Sequence, residues 1–326
     1  GGGVGGCCGA GWCCCGCAVR GVRGAVGLAR PARAQGDGTV GLRMNWWPQA
    51  NQGGYWQAQL DSKEGDDLKI VTLPGGPRIQ TIPQVGAGEA EFGIGYADDV
   101  IRARQMGAPV TAVYAALDHA PHSLVYHPGQ GIEGPKDFDG RKASVSLGAA
   151  YWDWIKKTYG IETQDIPVSG DMSLFANDPA MVQQGLYLFL PFRMDEAGIA
   201  QEQIKVADLG YRPYEVLFTT DEMIEKHPEA VRATVAAVKA GWQDFIADPG
   251  PVSAESLANN KQISPAASEN AIKLMKESEL PEDTAAYGCM EDARWSELAG
   301  QLKAIDVVPA DFDVTSAYDL SFLEGC

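Results

Sequence analysis

Between residues 39 and 220, short apolar runs alternate with stretches whose apolar positions recur at helical spacing, a pattern that predicts parallel sheets covered by helices. Strands are expected over 39–45, 68–73, 92–95, 110–117, 123–126, 142–146, 203–206 and 215–219. Helices are expected over 53–63, 78–85, 97–106, 149–159 and 181–184. From Asp221 onward the character changes: 228–247, 253–260, 265–277 and 290–304 read as helices with little strand signal, so the C-terminal third is expected to form a helical layer. The predicted class is α/β. No internal repeat and no long Pro- or Ser-rich linker divides the chain, which implies two lobes crossed more than once and a cleft between two sheets. Crossings near 118–122 and 210–214 would give a first lobe of 35–120 plus 216–326 and a second lobe of 121–215.

Composition narrows the function. At 326 residues, with 45% hydrophobic and 21% charged residues, the chain has the balance of a globular protein with a large core. No stretch approaches the ~18 uninterrupted apolar residues of a membrane-spanning helix, so a membrane role would need a partner or an anchor. The 26 Lys and Arg against 43 Asp and Glu give a net charge of −17, a poor match to phosphate backbones. No nucleic-acid partner is expected.

Residues 1–34 stand apart, being rich in Gly, Cys and Arg and free of acid. Ala32-Arg33-Ala34 before Gln35 has the small-x-small form that signal peptidase cuts, so 1–34 is read as a leader and the mature protein as periplasmic. Its apolar centre, 25–29, is short for such a leader. Only Cys289 and Cys326 follow it, and a bridge between them and a free pair are both open. The run Cys13-Cys14-Cys15-Gly16-Cys17 lacks the spaced pairs of zinc sites, and no metal is expected.

In open sheets, ligands gather beyond the carboxyl ends of strands, where loops feed helix N-termini. Three loops fit. The first, 45–56, carries Trp46, Trp47 and Trp56, and for Trp46 and Trp47 neither helix nor strand periodicity accounts for the cluster, whereas a stacking wall for a flat ligand does. The second, 93–99, offers Tyr96; Asp98 and Asp99 read first as caps complementing the helix dipole, with a ligand role for Asp98 as the alternative. The third, 144–152, offers Ser146 and Gly148 for an anion or ring carbonyl, with Tyr151 and Trp152 expected to face the first-lobe aromatics across the cleft.

Enzyme signatures are missing: there is no Gly-x-Ser-x-Gly elbow, no phosphate loop ending in Gly-Lys-Ser/Thr and no His-Glu-x-x-His. His119 and His122 have Pro121 between them and no evident third ligand, so a crossing-strand or surface role outweighs metal binding.

Several runs carry a family likeness. Pro74-Gly75-Gly76, the segment 85–95 (Val-Gly-Ala-Gly-Glu-Ala-Glu-Phe-Gly-Ile-Gly) and 100–110 (Val-Ile-Arg-Ala-Arg-Gln-Met-Gly-Ala-Pro-Val) are joined by 134–142, 182–185, Pro191-Phe192 and 211–214. Over about 39–250 their order and spacing resemble the periplasmic solute-binding proteins of ABC transporters in the thiamine-precursor, riboflavin, nitrate and sulfonate group. The resemblance implies a type II periplasmic-binding fold, in which two lobes close over a small-molecule ligand and present it to an ABC permease in the membrane. The protein would then be a monomer, needing no cofactor and performing no catalysis. Carried over by position, the ligand would meet Trp46, Trp47, Tyr55 and Tyr96 of the first lobe and Ser146, Gly148, Tyr151, Trp152 and Phe192 of the second. Members that hold an aminopyrimidine often place a Glu before the Pro-Phe pair; Leu190 stands there, so a larger flat ring such as a flavin, or a less basic molecule, fits better. The alternatives are a thiamine-pyrimidine-forming enzyme of the same fold and a ligand-sensing domain.

Overall fold

The structure is a computed structural model that describes residues 38–326 apart from Glu64 and Pro77; the leader expected over 1–34 lies outside the described residues. The strands are β1 (Thr39–Arg43), β2 (Lys69–Leu73), β3 (Phe92–Tyr96), β4 (Val110–Leu117), β5 (His122–Tyr126), β6 (Lys142–Val145), β7 (Gln164–Pro167), β8 (Val182–Leu186), β9 (Glu202–Lys205) and β10 (Glu215–Thr220). Interleaved with them are helices α1 (Gly53–Asp61), α2 (Thr81–Gly86), α3 (Ala97–Gln105), α4 (Ala150–Tyr159), α5 (Ser173–Asn177) and α6 (Leu190–Glu196). A run of helices follows: α7 (Asp221–Lys226), α8 (Pro228–Ala247), α9 (Gly250–Asn259), α10 (Pro265–Ser278) and α11 (Asp292–Ala304).

Two five-stranded sheets result, ordered β2-β1-β3-β10-β4 and β7-β6-β8-β5-β9. They are mixed, which corrects the expectation of parallel sheets. β10 runs antiparallel to both β3 and β4, and β5 runs antiparallel to both β8 and β9. The reason lies in the crossings: β5 is the first strand after the chain enters the second sheet, and β10 the first after it returns. β4, Val-Thr-Ala-Val-Tyr-Ala-Ala-Leu, is buried at every position and accordingly reads as a continuous apolar run. The segment 181–184, expected as a helix, is instead strand β8. Its two glutamines favour a helix locally, but the place between β6 and β5 demands a strand and buries both amides. β7 was missed as a short edge strand ending in Pro167, where a ladder donor is not needed.

α1 lies against α8 at unusually close range. A Cβ on Gly54 would stand 2.1 Å from Cγ of Trp242, and one on Gly241 would stand 2.4 Å from the Gly54 carbonyl, so both positions require glycine.

Both crossings are gripped by the C-terminal layer. Arg294 on α11 donates to the Asp118 carboxylate, to the Asp118 carbonyl at 2.6 Å and to the Arg212 carbonyl at 2.9 Å, and its guanidinium lies 3.9 Å over the Tyr214 ring. Arg212 pairs with Asp118 at 2.7 Å, and together the hydrogen bonds and cations hold that carboxyl well below the usual range despite its burial. His119 reaches the buried Glu279 at 3.2 Å. The tail is stapled by a disulfide between Cys289 and Cys326, 37 residues apart, which settles the pairing the sequence left open.

Two stability predictions follow from these features. A 37-residue separation corresponds to about 3–4 kcal/mol of loop-closure entropy, so Cys326→Ser is expected to lower the urea-unfolding free energy by about that amount under oxidising conditions and to change nothing in excess reductant. The second concerns Glu215, which opens β10 at 0% exposure with only Asn51 Nδ2, at 3.4 Å, as a partner. Burial pushes its carboxyl up from 4.5 to about 8. The native state therefore holds a proton that the unfolded chain releases, and stability falls as pH rises between those values. Glu215→Gln is expected to flatten that fall by up to ~1.4 kcal/mol per pH unit in unfolding titrations. Glu279, which burial and Asp118 push up to about 9, leaves a residual slope of the same sign.

Candidate functional site

A cavity of about 300 Å³ opens at the carboxyl ends of β1 and β3 on one side and of β6 and β8 on the other. This is the size at which small-molecule sites begin. Its first wall comes from the loop after β1. There Gly75 donates its N–H to the Trp46 carbonyl at 3.1 Å, and a Cβ on Gly75 would stand 2.3 Å from the Met44 carbonyl, so the Pro74-Gly75-Gly76 turn fixes the backbone that carries Trp46. The Trp46 indole meets Trp47 edge-on, with ring centroids 5.1 Å apart, and lines the cavity beside Asn45, Gln49 and Asn51. A Cβ on Gly170, from the opposite wall, would stand 4.0 Å from Trp46 Cζ2. Residues of the two sheets therefore meet across the cavity.

The floor is a stack of rings. Tyr96, the last residue of β3, approaches His122 edge-on at 4.7 Å, and Tyr151 stacks on the same imidazole at 4.7 Å and 23°. His122 opens β5 and is buried, which pushes its pKa down to about 4 and leaves it neutral at physiological pH. Its Nδ1 has no partner. Beneath Asn51 sits Glu215, protonated at neutral pH by its raised pKa and likewise uncharged.

The far wall is supplied by Ser146, Gln183, Gln184, Phe189, Leu190 and Arg193. Gln184 turns its Oε1 to accept from the Ser146 N–H at 2.6 Å, which locks the end of β6 to β8. Gln183 is 1% exposed and its Oε1 is unpartnered.

Of the residues proposed from sequence, Trp46, Tyr96 and Ser146 line the cavity. The others do not, for identifiable reasons. Trp47 backs Trp46 and lies against Gly76. Tyr55 follows the two glycines that face α8, so it is fully buried and meets Trp242 at 5.9 Å. Asp98 is buried beside Asp99, which together with desolvation raises its pKa, and it accepts from Tyr211 Oη at 2.9 Å as an anchor for the returning crossing. Gly148 is exposed, with its carbonyl taken by Arg102 of α3. Tyr151 forms a second layer behind His122. Trp152, expected to face the first aromatics, is 1% exposed; the helical phase of α4 turns its Nε1 to Asp165 of β7 at 3.0 Å. Phe192 is half-buried on α6 outside the wall.

Sequence reasoning missed His122, Asn51, Gln183, Gln184 and Arg193. His122 was legible as a crossing residue, since crossings border any cleft between two sheets. The paired glutamines were hidden by the helical reading of 181–184, and Arg193 stood directly after the Pro191-Phe192 pair.

Comparison with known proteins agrees with this architecture. A family model described as NMT1/THI5 like matches residues 50–251. The THI5 protein of Saccharomyces cerevisiae, described as 4-amino-5-hydroxymethyl-2-methylpyrimidine phosphate synthase, is 24% identical over 291 residues, spanning 82% of this chain and 84% of that one. Among solved structures, the Candida albicans CA3427 gene product, described as having the generic periplasmic binding protein fold, aligns with a TM-score of 0.65 at 14% identity, covering 86% of this chain and 96% of its own. The periplasmic aliphatic sulphonate binding protein SsuA of Escherichia coli aligns with a TM-score of 0.60 at 14% identity, covering 89% and 94%. The fold is the two-lobed type II periplasmic-binding fold, and the chain belongs to the NMT1/THI5-like family.

Proposed function

We propose that this chain is the exported substrate-binding component of an ABC uptake transporter, capturing a small flat or anionic organic molecule between its halves and handing it to a membrane permease. The observation that carries the reading is the shared cavity, with Trp46 and Tyr96 contributed by one half and Ser146 and the glutamine pair by the other. A molecule resting on Trp46 and Tyr96 recruits the second wall, and the closed state is favoured only by the contacts it adds there. Likeness to binding proteins such as SsuA supports this assignment.

The likeness to the yeast pyrimidine synthases favours a second reading, an enzyme on the same fold. Among the described residues, the wall carries no lysine that could hold a carbonyl cofactor as a Schiff base. Among the described residues no group of three or more His, Cys, Asp or Glu could hold a metal ion. Both features weigh toward capture without chemistry. Incubation with pyridoxal phosphate and iron is expected to yield no pyrimidine product; its appearance by mass spectrometry would establish the enzyme.

Native mass spectrometry of protein from its own host is expected to show one co-purified small molecule, released on denaturation. Trp46→Ala is expected to weaken its rebinding about tenfold or more while shifting the unfolding midpoint little. Trp152→Ala, by contrast, removes a buried ring and is expected to cost about 3–5 kcal/mol of stability. Equal loss of affinity in a Trp152 variant that remains folded would return that residue to the site.

A further inference from the structure

We infer that the ligand carries an oxyanion and that Arg193 is the residue that selects it. This rests on the proposed capture function and sharpens its substrate class.

Arg193 sits on α6 and, among the described residues, is the one cationic side chain on the cavity wall, which has no carboxylate of its own; Arg193 also borders a neighbouring cavity lined in part by Asp171. The guanidinium is half-buried, and no hydrogen bond, ion pair or ring contact engages it. That is unusual in a chain with 43 acidic and 26 basic residues, where a cation readily finds a carboxylate. Arg102 pairs with Asp99, Arg104 with Asp221, and Arg212 and Arg294 with Asp118. The nearest acid along the helix, Glu196, is occupied by Ser264, whose hydroxyl lies 2.8 and 3.0 Å from its two oxygens. Burial lowers the pKa of Arg193 by more than the attraction of Glu196 raises it, so the ion loses hydration and Glu196 compensates it only in part, with no ion-pair contact.

The rest of the wall is neutral. His122 is uncharged, and Asn45, Gln49, Asn51, Gln183 and Gln184 present amides. Such amides can bind polar edges of a ring but cannot balance a cation. A planar guanidinium fork offers two parallel donors to a carboxylate, sulfonate or phosphate. A ligand with a flat body against Trp46 and Tyr96 and an oxyanion on Arg193 would satisfy both walls together.

The test measures binding of benzoate, benzenesulfonate and phenyl phosphate, with benzamide as the neutral counterpart, by calorimetry and tryptophan fluorescence. The expected result is that at least one anion binds the wild type about tenfold or more tighter than benzamide. Arg193→Gln should abolish that preference while leaving benzamide affinity unchanged, and Arg193→Lys should restore part of it. Lys136→Gln, on the exposed surface, removes the same charge and should change nothing. Benzamide binding as tightly as every anion, or an anion preference that survives in Arg193→Gln, overturns the inference; if that binding still depends on Trp46, the capture reading stands without it. No binding of any probe up to about 10 mM counts against both.

Discussion

Where the chain passes between its two sheets, polar side chains are taken out of water before they find partners, and this desolvation governs the seam. Glu215 and Glu279 keep their protons at neutral pH, His122 loses its charge, and Asp118 stays ionised only because two guanidinium groups and His119 surround it. The contrast between Asp118 and Glu215 shows the rule. Asp118, with a side chain 38% exposed, has cations at hydrogen-bond distance, whereas Glu215 is fully buried with one amide at 3.4 Å. Apart from the Arg193 guanidinium, the cavity side of the seam is therefore uncharged, whereas its hinge side is strongly ionic.

That division suits the proposed capture of a small molecule. A neutral imidazole in contact with two tyrosine rings, several amides and an indole give shape and hydrogen-bonding edges, and Arg193 supplies the one charge among the described lining residues. The ionic side holds the crossings, whose geometry decides whether the two walls can meet.

Much of this was legible in the sequence, and the boundary between what was and what was not has a physical cause. The alternation of apolar runs and helical periods located most of the strands and all the longer helices, because those elements bury regular faces. β8 escaped because its central glutamines are buried by tertiary position, which overrides local preference. Trp46, Tyr96 and Ser146, expected from sequence, line the cavity because they sit at or just beyond strand ends, where topology alone directs a residue toward the cleft. Tyr55 and Trp152 were misplaced because each lies on a helix, and the rotational phase of a helix depends on what it packs against. Aromatic content in a loop is thus better evidence for a site than the same content one turn into the following helix.

The two arginine contacts near the junction differ in what they would resist. Arg294 binds the crossing segments themselves, at Asp118 and Arg212, so it bears on the pivot and is little disturbed by rotation about it. Arg102 instead ties α3 directly to Gly148 in the opposite half, so any parting of the halves has to break it. That resistance is shared with Lys157 of α4, which donates to the Ile305 carbonyl, and with Ser264, whose hydroxyl meets Glu196 of α6, so the halves are fastened at several places around the junction rather than along one edge.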